Sequence, residues 1–140
     1  MEWYLKVVRD NFANFEGRAR RQEYWMFILF NIIILIGLVM TFGILTAITQ
    51  SPAIGILGFS VYIIYGLGIL IPNLAVIVRR LHDTGNSGWM ILIQLIPLVG
   101  GIWLLVLMCT EGQVGPNEYG PDPKAAYPDD LNTIGPRSNN

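Results

Sequence analysis

Fifty-five consecutive residues, from Tyr24 to Val78, carry no charged side chain, and a second uncharged stretch of 27 runs from Thr84 to Thr110. About 20 apolar residues in a helix rising about 1.5 Å each are enough to cross the hydrocarbon core of a bilayer. The first stretch therefore holds two crossings and a turn, and the second holds one. Continuous apolar runs of this length are helical spans, since barrel strands are short and alternate in polarity. The expected fold is all-α and integral to a membrane, with three transmembrane helices.

Composition narrows the function classes. Charged residues are 14% of the chain, against about 25% in soluble domains. A net charge of −1 gives no footprint for nucleic acid. One cysteine, Cys109, excludes an internal disulfide and a cysteine-clustered zinc site, and one histidine, His82, leaves little for any other metal. No metal and no cofactor is expected.

Three regions follow: residues 1–23, an interfacial helix and arginine motif; residues 24–110, a three-helix transmembrane domain; and residues 111–140, a polar and largely irregular tail. At 100° per residue, Tyr4, Leu5, Val8, Phe12 and Phe15 share one face of a helix over residues 1–16, with Glu2, Lys6, Arg9 and Asp10 opposite. Two readings fit it: a helix lying among headgroups, or a soluble arm packed on the ends of the spans. The apolar run after it exceeds a signal-peptide core and is expected to remain as an anchor. The spans are expected over 24–48, 53–78 and 89–109, with Pro52 breaking the first from the second.

Arg18, Arg20 and Arg21 precede the first span, Arg79 and Arg80 follow the second, and the loop between carries no charge. The distribution of Lys and Arg places both groups in the cytoplasm with the N-terminus. Three spans then place the acidic tail, with Glu111, Glu118, Asp122, Asp129 and Asp130, outside. Pro97 and Gly100-Gly101 interrupt the third stretch, so the alternative is a re-entrant segment with an internal tail.

The informative words are FEGRARRQEYW (15–25) and RRLHDTGNSGW (79–89). Glu23 and Asp83 place carboxylates beside guanidinium groups at one membrane level, where bidentate pairing is available. Arg79 or Arg80 with Glu23, and Arg20 or Arg21 with Asp83, are the expected cross-pairs. A helix starting near Arg18 puts Arg20 and Glu23 on one face. Asp83 is expected in an Asx-turn and Ser87 as the cap of the third span. That helix start, facing five arginines, is also an anion or lipid-headgroup candidate built from Arg18, Arg20, Arg21, Glu23, Arg79, Arg80, His82, Asp83 and Ser87. The competing reading is purely structural, with the motifs pairing each other. His82, Asp83 and Ser87 include the residue types of a hydrolase triad, but within six positions of one turn they do not meet its geometry, and no catalytic residue is assigned.

Each span carries one amide, Asn31, Asn73 or Gln94, and at 1.5 Å per residue these lie about 9–12 Å below the arginine level. They are expected to form a shared intramembrane polar layer or to line a shallow vestibule.

FEGRARRQEYW, RRLHDTGNSGW and the tail element GPNEYGPDP (115–123) together resemble a bacterial inner-membrane family catalogued as domain of unknown function 805. The resemblance covers nearly the whole chain. It implies a multi-helix plasma-membrane protein without assigned biochemistry, and a tail that packs at its start, leaving 124–140 as its most disordered part. The expected role is a non-enzymatic envelope or scaffold protein acting through a partner, anionic membrane lipid or self-association. The alternative is a small-solute transporter or channel component, which three helices could form only as an oligomer.

Overall fold

The computed structural model describes residues 2–125. Among them the regular elements are helical: α1 (Glu2–Leu5) running into a π-turn (Lys6–Asp10), α2 (Arg21–Thr49), α3 (Pro52–Asp83), a 3-10 arm (Gly88–Leu95) and α4 (Val99–Cys109). Of the tail's expected most disordered part, 124–140, all but the first two residues lie outside the described residues.

α2 and α3 are the first two expected spans, each a few residues longer than the uncharged gap alone indicates. At 29 and 32 residues they have the length and apolar content to cross a membrane. Gln50 ends α2 in the left-handed conformation (φ 51°), Ser51 is extended, and Pro52 opens α3 where its missing N–H costs nothing. The chain thus reverses in two residues, and α3 returns antiparallel along α2. Most of the apolar surface of this hairpin, including Ile36, Ile44, Phe59 and Leu67, faces outward, as a lipid solvent requires.

The packed core is confined to the other end. Phe27 and Val76 meet Val7 and Ala19 in one cluster, and Ile77 and Leu81 meet Leu104 and Met108 in a second. α1 joins the first cluster through Tyr4, stacked on Phe27 at 5.8 Å. The regular structure stops at Asp10, short of the expected residue 16. Tyr4, Val7 and Val8 turn to the spans while Leu5, Phe12 and Phe15 stay exposed. The segment therefore combines packing on the span ends with an open apolar edge.

The third apolar stretch is not one straight helix. Pro97 lacks an N–H, and Leu98 adopts φ 66°, ψ −50° inside a γ-turn closed by Val99 N to Pro97 O at 2.8 Å. The 3-10 arm, rising about 2.0 Å per residue, descends about 16 Å, and α4 climbs back about the same distance. Both ends of this arm lie at the end of α3. Gly88 sits against Val78 and His82, and Arg80 Nε donates to Met108 O at 3.4 Å. The arm thus returns to the end of the hairpin from which it starts, the geometry of the re-entrant alternative, and residues 110–123 lie directly on the arginine motifs at that same end, where the reading with the tail outside separates them.

Candidate functional site

Three guanidinium groups, Arg18, Arg79 and Arg80, are buried around the end of α3 together with two carboxylates, Glu23 and Asp83. Local backbone geometry brings them together. Ala19 N donates to Arg79 O at 3.0 Å, and His82 Nδ1 donates to Gly17 O at 3.2 Å. Residues 17–19 are thereby laid across the last turn of α3, with Ala19 N occupying one carbonyl, that of Arg79, of those a helix terminus leaves open.

Asp83 is the first centre. Its Oδ1 accepts from Arg18 Nε at 3.0 Å, and its Oδ2 accepts from Arg80 Nη1. Both arginines then reach the tail. Arg18 Nη1 donates to Gly115 O at 2.6 Å and Nη2 to Gln113 O, while Arg80 Nη2 donates to Thr110 O. Glu23 is the second centre, accepting from Arg79 Nη1 at 2.7 Å and meeting Lys6 Nζ at 3.0 Å. Three buried guanidinium groups against two buried carboxylates leave one positive charge in excess. Backbone carbonyl dipoles of residues 108–115 face it. Such charges are expensive to bury, and removing one partner of a pair leaves the other uncompensated, at about 3–5 kcal/mol.

The tail is folded to fit. Gln113 N donates to Asp83 O at 2.8 Å, Asn117 Nδ2 to His82 O at 2.9 Å, and the Tyr119 ring stacks on His82 at 3.9 Å and 3°. Gly112 passes so close to Asp83 that a Cβ there would collide with its carboxylate. Asp122 accepts from Lys124 N at 2.8 Å and Gly115 N at 3.0 Å, and these bonds hold its carboxyl below its ordinary value. Glu111, between Lys124 and Arg21, is held low in the same sense, chiefly by the Lys124 hydrogen bond. Arg20 Nε donates to Pro123 O at 2.7 Å.

Several expected contacts are replaced by others. Arg79 does pair with Glu23, but Asp83 takes Arg18 in place of Arg20 or Arg21. The reason is that α2 starts at Arg21, not Arg18: Arg20 is extended (ψ 156°) and its side chain leaves the helix face of Glu23 for the tail. Arg21 stays outside, 3.3 Å from Glu111. Asp83 makes no Asx-turn, because both of its oxygens are taken by arginines. Ser87 caps as expected, accepting from Trp89 N at 3.4 Å, although the element it opens is 3-10. That hydroxyl and the His82 ring are engaged with separate partners, not with each other.

The amide layer does not form within the described chain. Asn31 donates to Phe27 O at 2.7 Å and accepts from Tyr65 Oη at 2.5 Å. Asn73 is half-buried and Gln94 exposed, and neither carboxamide has a hydrogen-bond partner among the described residues. Lys6, Thr110, Gln113 and Tyr119 belong to the site without having been singled out. For the tail, its GPNEYGPDP element was the available signal. The carbonyl acceptors have none, because any residue type supplies one.

The model of the family described as "Protein of unknown function (DUF805)" matches residues 12–121. Inner membrane protein YhaH of Escherichia coli K12 is 46% identical over 124 residues, covering 89% of this chain and 98% of that protein. Inner membrane protein YhaI of the same strain is 44% identical, covering 89% and 97%. No solved structure matches the chain.

Proposed function

This chain belongs to the DUF805 family and is an inner membrane protein, and from that premise we propose a non-enzymatic envelope scaffold. Its arginine motifs serve to lock two spans, the re-entrant arm and the tail into one platform at the cytoplasmic face. The observation that carries this reading is the burial of Arg18, Arg79 and Arg80 against Glu23, Asp83 and the carbonyls of the tail. A headgroup receptor would keep those donors open to its ligand. The Lys and Arg bias at both span ends supports the cytoplasmic side for this platform, and the tail then lies there with it. What remains for partners and anionic lipid is the outer rim, where Arg9 and Lys124 are exposed.

The scaffold and headgroup readings separate in one experiment. The thermal transition of the purified protein in a neutral detergent is measured with and without added phosphatidylglycerol. The scaffold reading expects little change on adding lipid and a large fall in Glu23→Gln. A transition raised substantially by the anionic lipid, and no longer raised in Arg18→Gln, would overturn it.

Transport keeps one observation in its favour: Asn73 and Gln94 are polar, lie within the apolar stretches, and have no hydrogen-bond partner among the described residues. It requires an oligomer, and liposome flux of a small anion abolished by Asn73→Leu or Gln94→Leu is its signature.

A further inference from the structure

We infer that this chain is a wedge that responds to the curvature of the bilayer, gathering where the membrane bulges toward the face that carries the arginine motifs. The wide end is crowded. Met108 and Leu104, one turn apart on α4, share a cluster with Leu81 and Ile77, one turn apart on α3, so α4 runs into the membrane along α3. The 3-10 limb lies beside α4, where a Cβ on Gly100 would meet the Ile93 carbonyl oxygen. Both limbs are about 16 Å long and end near the middle of a hydrocarbon core about 30 Å thick. α1 occupies the same half: the Tyr4 ring lies 5.8 Å from Phe27 and 5.6 Å from Phe30. Those two phenylalanines are about 6–10 Å below Glu23 at a helical rise.

Beyond that depth the described residues supply α2 and α3 alone. Gly58 is the one buried position among the described residues between Asn31 and Pro72. It draws the hairpin in, since a Cβ there would lie 2.5 Å from Phe42 Cβ. Five helical segments thus stand in one leaflet and two in the other. A helix about 10 Å across displaces about 80 Å2 of leaflet, so the two limbs and α1 add about 200 Å2 on one side. A bilayer relieves such an excess by bending with the crowded leaflet on the convex side, as it does for amphipathic segments lodged in one leaflet. The taper stands on these contacts. That its wide end is the cytoplasmic one rests on the scaffold reading, which this inference deepens by making membrane shape what the platform recognises.

The test labels the full chain with a dye at Cys109, exposed at the end of α4. It is reconstituted in both orientations into giant vesicles of phosphatidylethanolamine and phosphatidylglycerol, and a narrow tube is pulled from each vesicle. A membrane-impermeant quencher marks the copies whose arginine face is outward. Outward copies are expected to be enriched severalfold in the tube and inward copies depleted, because the same molecule meets opposite curvature in the two orientations. A dye on Ser51→Cys in a Cys109→Ser background is expected to report the same sorting. Three outcomes overturn the wedge: equal tube-to-vesicle ratios for both orientations, enrichment of the inward copies, or sorting that follows the position of the dye. The thermal transition of Glu23→Gln, measured alongside, reports on the hub independently of any sorting.

Discussion

The two ends of the α2–α3 hairpin are built by different physics. At the arginine end, five ionised side chains, a folded tail and all nine core hydrophobic side chains of the described residues are packed together. At the far end, the helices touch where Gly58 meets Phe42 and Gly55 approaches Thr46, beside an open apolar groove of about 450 Å3 lined by Leu38, Phe42, Gly55 and Tyr62. The difference follows from the solvent. Lipid tails are as apolar as leucine, so burying an apolar side chain between spans gains little over leaving it in lipid. Directional contacts therefore carry more of the specification of this fold, and the charged ones are confined to one end.

That contrast can be broken most directly at Asp83. Asp83→Asn removes the charge shared by Arg18 and Arg80 and is expected to cost about 3–5 kcal/mol, as is Glu23→Gln at the Arg79 and Lys6 centre. Unfolding in detergent, followed by circular dichroism, measures both. Replacing Glu23 and Arg79 together by leucine should cost clearly less than Glu23→Gln alone, because no buried charge is then stranded.

Gly112→Ala attacks the same end through shape alone. The added methyl meets the Asp83 carboxylate, so the tail is expected to lift at about 1–3 kcal/mol. Trypsin cleavage after Lys124, timed in inverted vesicles, should accelerate severalfold. The matching change at the far end is Gly58→Ala, whose methyl would lie 2.5 Å from Phe42 Cβ. There lipid can fill the space as the helices part, and a loss of about 1 kcal/mol or less is expected in the same unfolding experiment. A larger loss than at Gly112 would reverse the comparison.

Acid should act on the tail and spare the far end. Asp122 and Glu111 titrate below their ordinary values of 3.8 and 4.5, so their contribution is complete above those values. It declines as pH falls through the depressed ones, because the undocked tail binds protons more readily. Hydrogen exchange of residues 111–123 should therefore rise below about pH 4, with exchange in residues 52–66 unchanged.

Much of the fold is legible in the sequence, for reasons that vary by element. The two spans are marked by a long charge-free run with Pro52 inside it, and nothing in a bilayer competes with helix for such residues. The third stretch is ambiguous at Pro97, since a proline can kink a span or end it. What decides is the attraction of Arg80 for the carbonyls of Met108 and Thr110, a contact invisible until α3 and α4 are placed. The Glu23–Arg79 pair is readable from facing helix ends. Arg18 is not, because its reach to Asp83 depends on residues 17–20 remaining outside the helix. Gln113 and Gly115 contribute carbonyls, which leave no side-chain signature.

The central claim is that the N-terminal segment, the arginine motifs, both ends of the re-entrant arm and the tail share one membrane face. Cys109 reports on it without any substitution, being the chain's one cysteine and exposed at the end of α4. A membrane-impermeant maleimide should label Cys109 in inverted inner-membrane vesicles and leave it untouched in intact spheroplasts. In a Cys109→Ser background, Ser51→Cys should show the opposite pattern. Labelling of Cys109 from the periplasmic side of spheroplasts would contradict the account.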